Sequence, residues 1–425
     1  MPAPRAVMQR QFASLTVYNY RIYFIGQMIS LIGTWMQTTA QAWLVLQITD
    51  SPFALGTVTT LQFLPITLFT LFGGVIADRV PKRRMLIATQ TAALVQAAIL
   101  GVLVSTDTVQ LWHIYALALM LGTINAFDGP VRQSFVVELV GREQLVNAVA
   151  LNSSIFNAAR VIGPAVAGVA IGVVGLAAAF WVNAASFVAV LFAYYMMRPA
   201  DFFSVPARKT TGNVLAQVAE GFKYSWRTPA VLYPFILLTF IGTFGYNFTV
   251  VIPLVAKFVL EVGPGKFGLL TSCMGAGSLV AALGMAAAGK ASERILIVAS
   301  AAFIATFAAV AASPFFALTA VLLVVLGVAS VAFSTTINTT LQLVVPDELR
   351  GRVMSIFFLL FAGSTPIGGW FTGTLGESVG VPETLAIEAI LCTVGFAIAV
   401  AYRWLHGKAM REAAAVARHA AAPAD

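Results

Sequence analysis

The sequence predicts an all-α membrane protein with twelve transmembrane helices in two pseudo-symmetric six-helix bundles. Three observations support this prediction: an apolar composition, a series of apolar stretches of membrane-spanning length, and a repeat between the two halves. Of the 425 residues, 59% are hydrophobic and only 10% are charged, and the mean hydropathy is +0.89. Soluble proteins are about 45–50% apolar and about 25% charged, so the composition indicates a multi-pass membrane protein.

Twelve stretches are apolar over about the 20 residues that one bilayer crossing requires. In order, spans one to twelve cover residues 21–48, 53–77, 85–105, 110–134, 147–172, 176–197, 230–256, 267–288, 295–312, 315–337, 353–375 and 383–405. The longest gap between spans then separates two halves. The predicted domains are therefore an N-terminal bundle, a cytoplasmic linker, a C-terminal bundle and an alanine-rich cytoplasmic tail, at residues 1–197, 198–229, 230–406 and 407–425.

The basic residues lie almost entirely on one side of the predicted spans. Of 25 lysines and arginines, only Lys257 and Lys266 fall in loops on the opposite side, and Arg160 falls within a span. By the positive-inside rule, both termini lie in the cytoplasm and the protein lies in the cytoplasmic membrane. Orientation and contact with membrane lipids explain the net charge of +8, so we expect no nucleic-acid partner.

The linker contains a second apolar pattern, at helical spacing and flanked by basic residues. The apolar positions are Leu215, Val218, Phe222 and Trp226, and the basic ones are Lys209, Lys223 and Arg227. This pattern predicts an amphipathic helix lying in the membrane interface.

The two halves share a repeat with a constant offset. Residues 205 positions apart match in the pairs Val140 and Val345, Glu143 and Glu348, Gly163 and Gly368, and Gly168 and Gly373. Parallel repeats of this kind predict two halves related by an axis along the membrane normal, with a ligand cavity between them and rocking of one half against the other.

A charged loop between spans two and three carries a recognisable motif. The sequence GGVIADRVPKRR occupies residues 73–84, and its motif positions are Gly74, Asp78, Arg79, Lys82 and Arg83. This loop resembles the signature cytoplasmic loop of the major facilitator superfamily. A glycine permits close helix packing, an aspartate at a helix end accepts hydrogen bonds from a neighbouring helix N-terminus, and the bases supply countercharge.

The resemblance implies a gating role for this loop. Asp78 would dock on the start of span eleven and hold one state of the transporter closed, and Lys82 would pair with an acid of span four, here Asp128. The alternative is a plain basic loop that serves only orientation.

Span five carries a second motif, formed by Ala159, Gly163, Pro164 and Gly168. It resembles the antiporter motif of drug exporters, in which small residues let helices approach closely and proline bends the helix. The stretches FDGPVRQSF and VVPDELRGRVMSI are most similar to the branch that contains macrolide and multidrug efflux pumps and the enterobactin exporter. Ordinary packing of small residues is the alternative reading of this span.

Polar side chains at helical spacing mark candidate cavity residues. Span one has such a stripe at Gln27, Ser30, Thr34, Gln37 and Gln41. Lipid disfavours a polar face, so this stripe should face the protein interior. Together with similar positions in spans four, five, seven and ten, the substrate-cavity candidates are Gln37, Gln41, Asn125, Asn157, Arg160, Tyr246, Asn247 and Asn338. Interhelical hydrogen bonding is the alternative role for any one of them.

Few ionisable groups lie within the spans. Asp128 should lie roughly 27 Å along span four, near its cytoplasmic end, where a place in the gating network and a role as proton carrier are both open. Arg160 lies near mid-membrane and could bind an anionic substrate group or tune a carboxylate, or simply bond backbone carbonyls. Glu388 lies close to the outer edge of span twelve and is either a second proton-coupling candidate or a snorkelling side chain.

These features predict a secondary exporter of small hydrophobic or amphiphilic compounds, exchanging them for protons by alternating access. The alternatives are a lipid or lysophospholipid flippase on the same fold and, more remotely, a membrane sensor. No phosphate-binding loop motif is present, and the three histidines lie at span ends or in the tail, so we expect no enzyme, metal or cofactor. We expect the proton gradient as energy source and a monomer as the working unit.

Overall fold

The computed structural model describes residues 12–77, 80–203, 214–288 and 292–420, without the side chains of residues 70–77, 214–218, 288, 347 and 408–420. Helices joined by short turns and loops make up these ranges, and no β-strand occurs within them.

Six long helices make up the first part of the chain. They are α1 (Tyr18–Thr49), α2 (Pro52–Ala77), α3 (Lys82–Ser105), α4 (Leu111–Val140), α5 (Leu145–Val173) and α6 (Leu176–Met196). Nine helices follow: α7 (Val214–Arg227), α8 (Pro229–Phe244), α9 (Phe248–Leu254), α10 (Pro264–Ala288), α11 (Glu293–Ala311), α12 (Phe316–Val344), α13 (Asp347–Phe361), α14 (Thr365–Ser378) and α15 (Val381–Ala420).

Every predicted span overlaps one of these helices or a broken pair of them. Within the described residues, ten helices are long and apolar enough to cross a membrane, and an eleventh span results if α7 and α8 count as one. Helix α1 has the length but is not among the ten, since its polar stripe interrupts the apolar sequence. Helices α7 and α8 meet at a bend of 105°, so α7 does not continue the direction of the following span.

Two span predictions, for spans seven and four, differ in detail from the helices. Span seven is not continuous, because the helix breaks between Phe244 and Phe248, where the ring of Phe303 leaves no room for a Cβ at Gly245. Span eleven lies within one candidate span, Glu348–Ser378, which has a short turn between α13 and α14 just before Pro366 in the first turn of α14. Span four extends six residues further, to Val140, and ends at a glycine with a φ of 69°.

The chain divides into two compact units. The first comprises residues 1–209 and 262–275. In it, α2 packs along α4, and α6 packs against both α1 and α3. The aromatic core contains Tyr23, Phe135 and Tyr194, with ring centroids 6.3–6.5 Å apart.

The second unit comprises residues 210–261 and 276–425. Here α8 packs along α15, and α11 packs against α12 and α15. The amphipathic helix α7 packs on α13, where Gly221 lies against Arg352 and Glu220 pairs with Arg352 at 2.5 Å. On the same helix, Trp226 remains exposed.

Two glycines reproduce the repeat in the backbone. Gly175 precedes α6 and Gly380 precedes α15, and both have a φ of 100°. This conformation is readily adopted by glycine alone. The two positions are 205 residues apart, which is the offset found in the sequence, so the helix starts repeat in conformation as well.

One glycine of α4 is required by packing, and this can be tested with a control in the same helix. A Cβ at Gly122 would overlap the backbone carbonyl of Gln62 in α2, whereas a Cβ at Gly129 meets nothing within 4 Å. We expect Gly122→Ala to destabilise the protein by about 1–3 kcal/mol, as overpacking does. Gly129→Ala should be neutral or stabilise it by up to about 1 kcal/mol. Unfolding in SDS-mixed micelles measures both, and equal effects would contradict the packing role.

Candidate functional site

A buried acid–base cluster joins three helices of the first unit. The carboxylate of Asp128 in α4 is fully buried, and its Oδ1 accepts hydrogen bonds from Thr89 Oγ1 at 2.7 Å and Gln90 Nε2 at 2.9 Å, both in α3. Its Oδ2 forms an ion pair with Arg132, one helical turn further on. Arg132 in turn donates from Nη1 to Gln27 Oε1 in α1 at 3.0 Å. The buried charge of Asp128 is therefore matched by a cation and two neutral donors.

The cluster lies further from the end of its helix than the predicted span indicates. Because α4 continues to Val140, Asp128 lies about 18 Å from the end of its helix, twice the distance expected from a span ending at residue 134. The charged and polar residues after position 131 end the apolar part of α4 before the helix itself ends.

A cavity of about 160 Å³ lies beside this cluster, within the first unit. Nine residues of α1, α4 and α5 line it: Tyr23, Gln27, Leu31, Arg132, Gln133, Val136, Asn152, Ile155 and Phe156. The lining combines apolar side chains with a few convergent polar groups, which is typical of a small-molecule site.

Lys82 pairs with a different acid from the one expected. Its Nζ lies 2.5 Å from Glu138 Oε1, so the prediction that Lys82 pairs with Asp128 is wrong. The reason is depth: Lys82 begins α3 and Glu138 lies in the last turn of α4, whereas Asp128 lies about 15 Å further along the helix.

Arg83, the next basic residue of the loop, caps the C-terminal end of α6. Arg83 donates from Nε to Tyr194 O at 2.8 Å and from Nη2 to Tyr195 O at 3.3 Å, in the last turn of α6. A cation at these free carbonyls is favourable because they carry the negative end of the helix dipole. Of the other gating positions, Gly74 lies in helical backbone of α2, and Asp78 and Arg79 lie outside the described residues.

The small residues of α5 allow two close helix approaches within the first unit. A Cβ at Gly163 would overlap Trp35 of α1, and Ala159 is buried on the same face. Gly168 lies against Gly268 of α10. A Cβ placed on Gly168 would be 3.2 Å from the Cα of Gly268. Pro164 lies between these contacts, and its carbonyl is 2.5 Å from a Cβ placed on Gly268.

Gln37 lies in a second buried polar network of the first unit. Its Nε2 donates to Gln96 Oε1 in α3 at 2.9 Å, and its Oε1 accepts from Asn183 Nδ2 in α6 at 2.7 Å. Both the nitrogen and the oxygen of the Gln37 side-chain amide therefore form hydrogen bonds to other helices. Gln41 is also buried, with its amide 3.5 Å from Gln62 of α2.

The remaining cavity candidates of the first unit are partly buried on α4 and α5. Asn125 lies one turn before Asp128, and Asn157 donates to Ser153 O at 2.8 Å. The guanidinium of Arg160 lies over the ring of Trp35, with its Cζ 5.8 Å from the ring centroid. A cation over an aromatic face is a favourable arrangement, and it fixes this arginine on the α1-facing side of α5.

In the second unit, Tyr246 and Asn247 occupy the break between α8 and α9. The Tyr246 hydroxyl donates to Ser330 O, and its ring stacks on Phe303 at 5.4 Å. Asn247 is buried and donates to Thr243 O at 2.7 Å. Asn338 is partly buried on α12 and accepts from Gln342 at 2.5 Å.

Glu388 is buried and does not snorkel, which corrects one of the two readings of this side chain. Its exposed fraction is 0%, and its Oε1 accepts from Thr372 Oγ1 of α14 at 2.5 Å. Its Oε2 is buried with no hydrogen-bond partner among the described residues. No lysine or arginine among the described residues forms an ion pair with Glu388.

Several partners in these networks were missed from the sequence. Gln90 and Gln96 are amides within an otherwise apolar span three, the same signal that marked the stripe of span one. Asn152 and Thr372 carried no such signal, because single polar residues of this size are common in membrane helices. Their roles depend on which helices pack against them.

Membrane-length helices with buried polar networks between them are typical of an integral membrane protein. The sequence comparison gives the family. The model of the transmembrane secretion effector family matches residues 9–423, and the chain belongs to this family of major facilitator transporters.

Curated relatives cover most of this chain. The multidrug efflux pump Tap of Mycolicibacterium fortuitum is 26% identical over 85% of this chain and 90% of its own length. The staphyloferrin A transporter of Staphylococcus aureus is 26% identical over 87% and 92%. Macrolide efflux protein A of Streptococcus pyogenes is 22% identical over 88% and 94%.

Solved transporter structures share the fold. The nucleoside transporter NupG superposes with a TM-score of 0.73 at 11% identity, covering 91% of this chain and 99% of its own. A bacterial homologue of the human lysosomal transporter Spinster superposes with a TM-score of 0.72 at 14% identity, covering 93% and 97%. At these identities the likeness concerns the fold alone.

Proposed function

We propose that this protein is a proton-coupled secondary exporter of small hydrophobic or amphiphilic compounds, of the kind used in multidrug or siderophore efflux. Twelve crossings form two six-helix halves with both termini in the cytoplasm. The halves expose a central pathway to each side in turn, and the gating loop at Gly74–Arg83 holds one of the two states. The relatives named as efflux pumps support export as the direction of transport.

The observation that carries the proposal is the Asp128–Arg132–Gln27 cluster beside the cavity. Ionisable groups inside membrane helices are costly and serve function by default. Here both ionisable groups lie on α4 and Gln27 lies on α1, and these two helices also line a space for a small molecule. The cluster thus supports transport of a solute through this part of the membrane.

Of the two proton-coupling candidates, the geometry favours Glu388. Asp128 cannot take up a proton without giving up its ion pair with Arg132 and hydrogen bonds from two further donors. Glu388 has one hydroxyl partner and one oxygen without a partner in the described residues. It can therefore exchange a proton without breaking an ion pair, and we assign it the coupling role and Asp128 a structural role in the cluster.

Proteoliposome transport under an imposed pH gradient tests the proposed function. We expect an amphiphilic fluorescent dye to accumulate several-fold against its own gradient when the pH gradient is present. When an uncoupler dissipates the pH gradient, the dye should only equilibrate. Liposomes without protein provide the control.

Two outcomes would contradict the proposal. Dye movement at the same rate with and without the gradient would exclude proton coupling. Gradient-independent movement of a fluorescent lysophospholipid, without any movement of the dye, would instead support a flippase on this fold.

A further inference from the structure

We infer that the cavity beside Arg132 is a subsite for a carboxylate-bearing ring of the transported compound. This inference rests on the proposed transport function and names the chemistry of one part of its substrate.

Two side chains offer hydrogen-bond donors at the cavity. Arg132 uses its two Nη groups on Asp128 and Gln27, and its Nε is buried without an acceptor in the described residues. The Asn152 amide lies 3.1 Å from the Tyr20 hydroxyl, whose one proton also has Ala148 O as an acceptor at 2.8 Å, so at least one of the two amide N–H groups of Asn152 remains to donate.

The buried amide of Gln27 is already in use at both its oxygen and its nitrogen. Gln27 Oε1 accepts from Arg132, and its Nε2 donates to Tyr194 at 3.2 Å. None of the nine described lining residues is acidic. A ligand that brings acceptors and negative charge therefore complements this lining, and a planar carboxylate matches a guanidinium best.

The size and the apolar walls favour a single ring. A cavity of about 160 Å³ is close to the roughly 150 Å³ of an engineered cavity that binds benzene. Leu31, Ile155 and Phe156 supply apolar contacts on two helices. Phe156 also meets the ring of Trp35 edge-on at 5.8 Å, which fixes its orientation.

All three polar groups lie at one level of their helices. Gln27 is about 13 Å from the start of α1, Arg132 about 12 Å from the end of α4, and Asn152 about 10 Å from the start of α5. With the proposed orientation these ends are cytoplasmic, so the subsite lies where a compound leaving the cytoplasm enters first.

Binding of three matched probes tests the subsite without any gradient. Benzoate, benzamide and benzylammonium share a ring and differ in charge. Saturation-transfer NMR on the full chain in nanodiscs should give at least tenfold tighter binding of benzoate than of either other probe. Methyl benzoate, which keeps the ring but not the charge, should bind like benzamide.

Variants separate the subsite from general charge effects. The double variant Asp128→Asn, Arg132→Gln keeps a neutral hydrogen-bonding pair and should lose the preference for benzoate at least tenfold. Asn152→Leu should weaken benzoate binding about threefold or more while the ion pair stays intact. Arg142→Gln removes the same charge at an exposed position beyond α4 and should leave benzoate binding unchanged.

The outcomes distinguish this inference from the proposed function. Equal binding of the three probes, or an unchanged preference in the double variant, would overturn the subsite even if gradient-driven dye transport is observed. Selective benzoate binding by a protein that transports no dye would uphold the subsite and contradict the exporter.

Discussion

Replacing Arg132 alone with glutamine should destabilise the protein by roughly 3 kcal/mol. The substitution leaves the carboxylate of Asp128, which is 0% exposed, without its cation. Breaking a buried pair by removing one partner costs about 3–5 kcal/mol, and the low end applies because the Arg132 side chain is 26% exposed. Unfolding in SDS-mixed micelles and the yield of folded protein measure this effect.

The double variant Asp128→Asn, Arg132→Gln is the matched control. Replacing both members of a buried pair is often nearly neutral, since no uncompensated charge remains. We expect it to regain most of the lost stability. If the single and the double variants are equally unstable, Arg132 stabilises the protein by packing and not by matching the charge of Asp128.

Replacing Glu388 with glutamine should abolish gradient-driven accumulation, with a loss of at least tenfold. Glutamine preserves the size of the side chain and can still accept from Thr372, but it cannot carry a proton. Exchange of labelled for unlabelled substrate without a gradient should continue, because the path itself is unchanged. Both rates are measured in proteoliposomes with the same dye.

Glu383→Gln is the control for this substitution. Glu383 lies in the first turn of the same helix and is exposed, so its loss should leave accumulation unchanged. Full gradient-driven transport by Glu388→Gln would show that another group carries the proton, and Asp128→Asn would then become the variant to examine.

Much of the fold is predictable because the membrane imposes a one-dimensional pattern. Apolar stretches of fixed length and basic loops locate the helices, and every predicted stretch overlaps a helix or a broken pair. The predicted spans differ from the helices where a helix does not follow the apolar pattern. Span four extends past its apolar part to Val140, and span seven breaks where Gly245 meets Phe303.

The partners of polar side chains are less predictable. Periodicity identified Asp128 and Gln37 as members of polar faces, but which helix lies opposite and at what depth is a three-dimensional matter. Lys82 therefore meets Glu138 and not Asp128, and Glu388 is enclosed beside Thr372 although it lies near the end of its span.

The sequence by itself determined that this chain is a multi-pass helical membrane protein with a repeat of 205 residues, because hydropathy, charge placement and glycine positions are properties of the linear order. Only the tertiary structure decided the ion pairs, the buried carboxyl of Glu388 and the cavity beside Arg132. These depend on the rotation and relative depth of packed helices, and side-chain spacing along one helix contains no information about either.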